Sequence, residues 1–271
     1  MRTAFWAICL ALATACDRAA RMPTYIAIPQ TLLIVGADTF ADTGVEDVWV
    51  YHDRDIQGVY PVGAIFPVVP GERDFFTFMG GVRDGGDVEI RKQFPFWTLD
   101  TAMLKLEPRE TLYYIPKFKY VSSELLTLPV NEDFEGVGVS FEPLSNRADT
   151  TLPYRTTQTS FTGATCLRAN FDSTRRHFFL RTNQTFKLPA DDRQVWAEVA
   201  YKGNIKFGLG LLGEVGGADL IVNAPFIPAL PPDPERWQIV HFDLSNIARN
   251  LGGTTGLRLY LTATSDGLSR T

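Results

Sequence analysis

The sequence predicts an all-β protein of two β-sandwich domains, and three observations carry that expectation. Val, Ile, Phe, Tyr and Thr gather in short runs, Gly, Pro and Asp cut the runs, and no stretch keeps a helical period of apolar residues beyond about two turns. Of the 271 residues 45% are hydrophobic and 21% charged, a balance that supplies a packed core and excludes disordered or collagen-like sequence. The 26 Lys+Arg against 31 Asp+Glu leave a net charge of -5 with no basic block. A nucleic-acid partner held by phosphate neutralisation is therefore not expected.

The first element is an address. Met1-Arg2, an apolar run from Ala4 to Ala13, small residues and then Cys16 have the order of a secretory signal peptide over residues 1–15. About ten apolar residues rise only ~15 Å as a helix, roughly half of a ~30 Å hydrocarbon core, so this is not a membrane span. Leu12-Ala13-Thr14-Ala15-Cys16 resembles the lipobox of bacterial lipoproteins, although Ala13 stands where that family prefers Leu, Val or Ile. The resemblance implies a lipid on Cys16, with residues 16–23 as a lipidated tether and the outer membrane, on its periplasmic or cell-surface face, as the location. Ala13-Thr14-Ala15 also satisfies the rule for ordinary secretion. With Cys9 lost to the signal and Cys16 acylated, Cys166 is left without an intrachain disulfide partner. Its strand-like surroundings, without a nearby histidine, read as a buried apolar position.

Candidate strands of the first domain, residues 24–121, run over 25–35, 46–52, 57–62, 73–79, 94–106 and 112–121. Asp47-Val48-Trp49-Val50-Tyr51, the turn His52-Asp53-Arg54-Asp55, the return Gly58-Val59-Tyr60-Pro61-Val62 and the Pro70-Gly71 turn before Asp74-Phe75-Phe76 resemble PEGA-type β-sandwich repeats. Such modules serve as non-catalytic spacers or docking units on exported proteins. Residues 122–130 read as a linker, because the strand ending at Val121 gives way to Ser122-Ser123-Glu124 and a new segment opens at Asn131.

The second domain, 131–271, offers strands over 134–142, 164–171, 177–188, 194–201, 205–212, 237–244 and 257–264. One short helix is expected near Asp243–Leu251, opened by Asp243 or Ser245 as N-cap. Asn131-Glu132-Asp133-Phe134-Glu135, Phe186-Lys187-Leu188-Pro189, Val195–Lys202, Trp237–Leu244 and Leu257–Leu261 resemble jelly-roll modules related to galactose-binding and carbohydrate-binding domains. Lipobox, PEGA-like module and jelly roll together are similar to surface lipoproteins of Bacteroidota. Jelly rolls of this kind close with a further strand after the one equivalent to Leu257–Leu261, and the chain stops at Thr271. Either a closing strand is missing or the sheet ends in an unpaired edge, an aggregation hazard.

Chemistry-bearing motifs are sparse. Gly208-Leu209-Gly210-Leu211-Leu212-Gly213 spells a dinucleotide fingerprint, but that chemistry needs a helix next, and Gly216-Gly217 with Pro225, Pro228, Pro231 and Pro232 oppose one. Packed strand glycines are the better account. Among the three histidines, His52 is expected exposed in a turn, and His241 shares a strand face with Asp243 at an expected rim position. Glu132, Asp133 and Glu135 are weak candidates for a structural calcium, with solvated turns favoured; otherwise no metal and no cofactor is expected. No nucleophile sits beside a base, so no enzymatic activity is expected.

Binding is the stronger class. Trp196, Tyr201 and Trp237, together with Phe226 in the Pro-rich loop 223–232, are the candidate ligand-binding aromatics. Trp196 and Trp237 also read as interior from their apolar runs. The sequence thus predicts a non-catalytic lipoprotein that binds a glycan, or else a structural subunit of an outer-membrane assembly or export complex.

Overall fold

A computed structural model of the chain describes residues 22–35, 38–40, 44–144, 150–189, 191–215, 218–221, 233–250 and 256–265. Cys16 and Phe226 lie outside these residues. The described chain is almost entirely β, as the sequence predicts, and its one described helix, α1 (Ser245–Asn250), falls where it was expected. The Leu244 carbonyl accepts the Ala248 N–H at 2.8 Å, and an Asp243 oxygen accepts the Ser245 N–H at 2.9 Å, satisfying a donor of the first turn.

Prolines decide the layout of the first half. The expected strands 25–35 and 112–121 are each broken in two, into β1 (Thr24–Ala27) and β2 (Leu32–Val35), and later β10 (Thr111–Tyr113) and β11 (Lys117–Lys119). Pro29 and Pro116 lie in the two gaps, and a proline donates no ladder hydrogen bond. β1 pairs in parallel with β10, and β2 with β11. β6 (Ile65–Val68) completes the first sheet and β3 (Asp38–Phe40) the second. The expected strand 94–106 also fails at Pro95. Only β8 (Arg91–Gln93) and β9 (Asp100–Met103) are extended, and Trp97 between them bridges to Tyr120.

β4 (Asp47–His52), β5 (Asp55–Pro61) and β7 (Phe75–Arg83) form the central sheet with β8 and β9. The β4–β5 turn holds Asp53 and Arg54 at φ 48° and 83°, as a tight hairpin with the native strand twist requires. Asp53 secures it by accepting the N–H groups of Glu72, Arg73 and Phe75. His52 is not exposed as expected. Its ring stacks on Phe76 at 4.4 Å and its Nε2 lies 3.0 Å from Asp74 Oδ1. Val48, Val50, Phe76 and Phe78 from this sheet meet Ile26, Ile28, Phe66 and Val68 from the β1 sheet in one buried core, the facing of two sheets that defines a sandwich.

In the second half the expected strand 134–142 shrinks to β12 (Phe141–Pro143). Upstream, Glu132 accepts the N–H groups of Phe134 and Ser140, and Asp133 that of Glu135, so the side chains compete with a ladder for the backbone donors. β13 (Tyr154–Thr156) pairs with β14 (Cys166–Arg168). β15 (His177–Thr182), β17 (Phe207–Val215), β18 (Ala218–Ile221) and β20 (Leu257–Thr264) join β12 in a sheet ordered β12-β15-β20-β17-β18. The last described strand is therefore central, paired on both sides, and the edges of this sheet are β12 and β18. Of the two alternatives that the sequence leaves open, an unpaired edge at the strand Leu257–Thr264 is not what the described sheet shows.

The glycine run lies within β17, which turns back into a strand pairing with it. A Cβ on Gly210 would stand 2.6 Å from the Tyr260 ring, so close packing is the reason for a glycine there. β16 (Trp196–Tyr201) and β19 (Gln238–Asp243) form a two-stranded ribbon. Its Val199, Val240 and Phe242 face a core with Leu209, Leu211 and Leu257. Its other face bears Trp196, Glu198, His241 and Asp243, and this face meets the first half. Alternation along a strand explains both faces at once.

Candidate functional site

Two polar clusters stand out, one closed and one open. The closed cluster is the seam between the halves. Lys92 Nζ lies 2.8 Å from Asp84 Oδ2 and 2.7 Å from Asp243 Oδ2, the other Asp84 oxygen accepts the Asp243 N–H at 2.9 Å, and the Gly85 N–H donates to the His241 carbonyl at 2.7 Å. His241 is 1% exposed, which corrects the expected rim position. The ribbon's outer face is covered by a second layer that strand alternation alone cannot reveal. His241 Nε2 donates to Glu198 at 3.0 Å, and the Tyr120 hydroxyl donates to both Glu198 oxygens at 2.9 Å.

The seam is electrostatically settled. Burial works against the charged form of Glu198, but the hydrogen bonds from His241 and Tyr120 outweigh it and hold the carboxyl below its usual range. Burial, then the Glu198 charge, pushes the Tyr120 hydroxyl upward, so it stays protonated as a donor. Phe94 packs edge-on against Trp97, Trp196 and His241. Such an arrangement fixes two surfaces together; it presents no activated nucleophile.

The open cluster is a shallow groove of about 470 Å³ on the second half, lined by Arg155, Thr156, Thr157, Gln158 and Thr165. Arg155 Nη1 donates to the Gly136 carbonyl at 2.6 Å and Nη2 lies 3.5 Å from Thr165 Oγ1. Glu135 accepts the N–H groups of Ala164 and Thr165 and the Thr165 hydroxyl, and these donors, the Ala164 N–H foremost, hold its carboxyl below the usual range. Glu132, Asp133 and Glu135 thus each serve local backbone donors. Among the described residues no group of three or more His, Cys, Asp or Glu side chains is arranged to hold a metal.

Beside the groove, a hydrogen-bond chain runs from the Tyr154 hydroxyl through Asn170 and Arg168 to Gln158. Tyr154 is 46% exposed, and Phe161 is exposed next to Trp237, whose Nε1 lies 3.3 Å from Thr159 Oγ1. Cys166 beneath is buried, and burial pushes its thiol up, away from the reactive thiolate.

The four aromatics singled out from sequence do not form one site. Trp237 lies against Thr159, the residue after the groove-lining Gln158. Tyr201 packs edge-on against Phe207 while its hydroxyl lies 3.2 Å from Gln238 Oε1. Trp196 belongs to the seam, with Lys92 5.7 Å from its ring, and Phe226 is outside the described residues. Sequence reasoning missed Tyr154, Arg155, Gln158, Arg168 and Asn170. The signal for three of them was the run Tyr154-Arg155-Thr156-Thr157-Gln158-Thr159-Ser160-Phe161, hydroxyls and amides between two aromatics. No protein-family model matches the chain, and no curated protein is significantly similar to it.

Proposed function

We propose that this chain is a non-catalytic lipoprotein of the bacterial cell envelope, anchored in the outer membrane through Cys16, which binds a carbohydrate in the groove beside β13 and β14. One observation carries the reading: guanidinium, amide and hydroxyl groups line an open groove, and one of them, Gln158, is joined through Arg168 and Asn170 to the hydroxyl of the exposed Tyr154. Sugars offer rows of hydroxyls that pair with such donors and acceptors, and C–H faces that stack on rings. The jelly-roll resemblance and the signal-like N-terminus agree with an exported binding protein.

The test is a glycan array probed with the full chain carrying Cys16→Ala. Retention of one carbohydrate class, lost in Tyr154→Ala and Gln158→Ala, is the expected result; an array without hits overturns the reading. A second reading, an accessory subunit of an outer-membrane complex, is favoured by the exposed Leu125 and Leu128 in the connection between the halves and the exposed Val137 early in the second. A stoichiometric partner recovered in mild detergent, and lost when these three are made serine, is its expected result.

A further inference from the structure

The sheet ordered β10-β1-β6 has a second face, turned away from the core. Ile26, Phe66 and Val68 point inward, so alternation turns Tyr25, Ala27, Ile65, Pro67, Thr111 and Tyr113 outward, Ala27 itself being only 3% exposed. The register sets Tyr113, Ala27 and Ile65 in one row and Thr111, Tyr25 and Pro67 in the next. None of the six is charged. Tyr113 is 70% and Ile65 59% exposed, and the exposed Val69 follows β6 directly. The central sheet differs, since the face of β4 away from the core carries the Asp47–Arg91 ion pair, with Asp47 buried. A contiguous uncharged surface with two tyrosines marks a place that something covers.

The chain itself says what covers it. β1 opens at Thr24, eight residues after Cys16. Eight extended residues reach about 29 Å at most, so an attachment at Cys16 keeps β1 within that distance of the lipid. Tyrosine rings settle at headgroup depth and aliphatic side chains at the acyl boundary. We infer that the outward face of the β10-β1-β6 sheet lies on the bilayer surface, with Tyr25 and Tyr113 among the headgroups and Ile65 and Val69 against the acyl chains. This rests on the proposed membrane attachment of the N-terminus.

The test uses the full chain reconstituted into phosphatidylcholine–phosphatidylglycerol vesicles that carry a photoreactive group in the acyl chain. After irradiation, peptides bearing Tyr25, Ile65 and Tyr113 are expected to carry lipid about fivefold more often than peptides bearing the exposed Leu125 and Leu152. In Ile65→Ser/Tyr113→Ser the face loses its adducts while residues 16–21 keep theirs. Adducts confined to residues 16–21 overturn the inference and leave the attachment standing. Adducts on neither overturn both.

Discussion

The seam and the groove are built from the same kinds of residues, and they differ in where water is. At the seam Lys92 sits between Asp84 and Asp243, and Glu198 between His241 and Tyr120, so the polar groups are matched by one another behind a wall of Phe94, Trp97 and Trp196. At the groove, Arg155, Gln158 and the threonines line a surface open to solvent, with Gln158 joined through Arg168 and Asn170 to the exposed Tyr154. A polar cluster closed against water fixes geometry. One left open, with rings to stack on, offers recognition. Residue type alone does not separate the two.

Variants that damage the seam should lower stability and spare binding. The largest effect is expected from Phe94→Ala, which empties the space between Trp97, Trp196 and His241. Urea unfolding should show a loss of about 3–5 kcal/mol. A loss below about 1 kcal/mol would mean that the halves are not packed together there. Next comes Asp84→Ala, which removes one Lys92 partner and the acceptor of the Asp243 N–H. Because Lys92 still reaches water, the expected cost is about 2 kcal/mol rather than the larger figure for a fully buried pair. Carbohydrate affinity, read by calorimetry, should not change in either variant.

At the groove the expectation reverses. Tyr154→Ala should weaken carbohydrate binding by roughly 1–2 kcal/mol while the unfolding free energy stays within about 0.5 kcal/mol of the parent. Equal losses in both readouts would erase the distinction between the clusters.

The smallest effect is a pH dependence. Burial opposes ionisation of Asp243, but the hydrogen bonds from Lys92 and Ser245 prevail, and its carboxyl lies below the ordinary 3.8. Burial likewise opposes the charge on Lys92, but its two aspartates hold it above the ordinary 10.5. A depressed acid stabilises the fold above its unfolded value and loses that contribution as pH falls through the folded one; a raised base stabilises below its unfolded value and loses it as pH rises through the folded one. The seam should therefore hold between those limits. On acidification below 3.8, the parent should lose more stability than Asp243→Asn, as measured by urea midpoints at each pH.

How far the sequence is legible follows from the same physics. The runs at 47–52, 196–201 and 257–264 declare themselves as strands because apolar and aromatic residues alternate or follow one another between turn residues. The glycines at 208–213 can be separated from a nucleotide loop because no helix follows. His241 is harder. Its burial comes from a layer about 120–150 residues away in the chain, which a local pattern does not report. The groove draws on Arg155 and on Thr165, whose backbone the distant Glu135 clamps and whose hydroxyl lies against Arg155. The strands 94–106 and 134–142 were overread because Pro95 and the side-chain acceptors Glu132 and Asp133 act on the backbone more strongly than the surrounding β-formers do.

The most direct measurement is amide hydrogen exchange on the full chain carrying Cys16→Ala, with and without the carbohydrate that the array identifies. Protection should rise across Tyr154–Gln158 and Cys166–Asn170 and stay unchanged at Gly85, Glu198 and His241. Protection that rises at the seam, or only along residues 122–138, would contradict the assignment of binding to the groove.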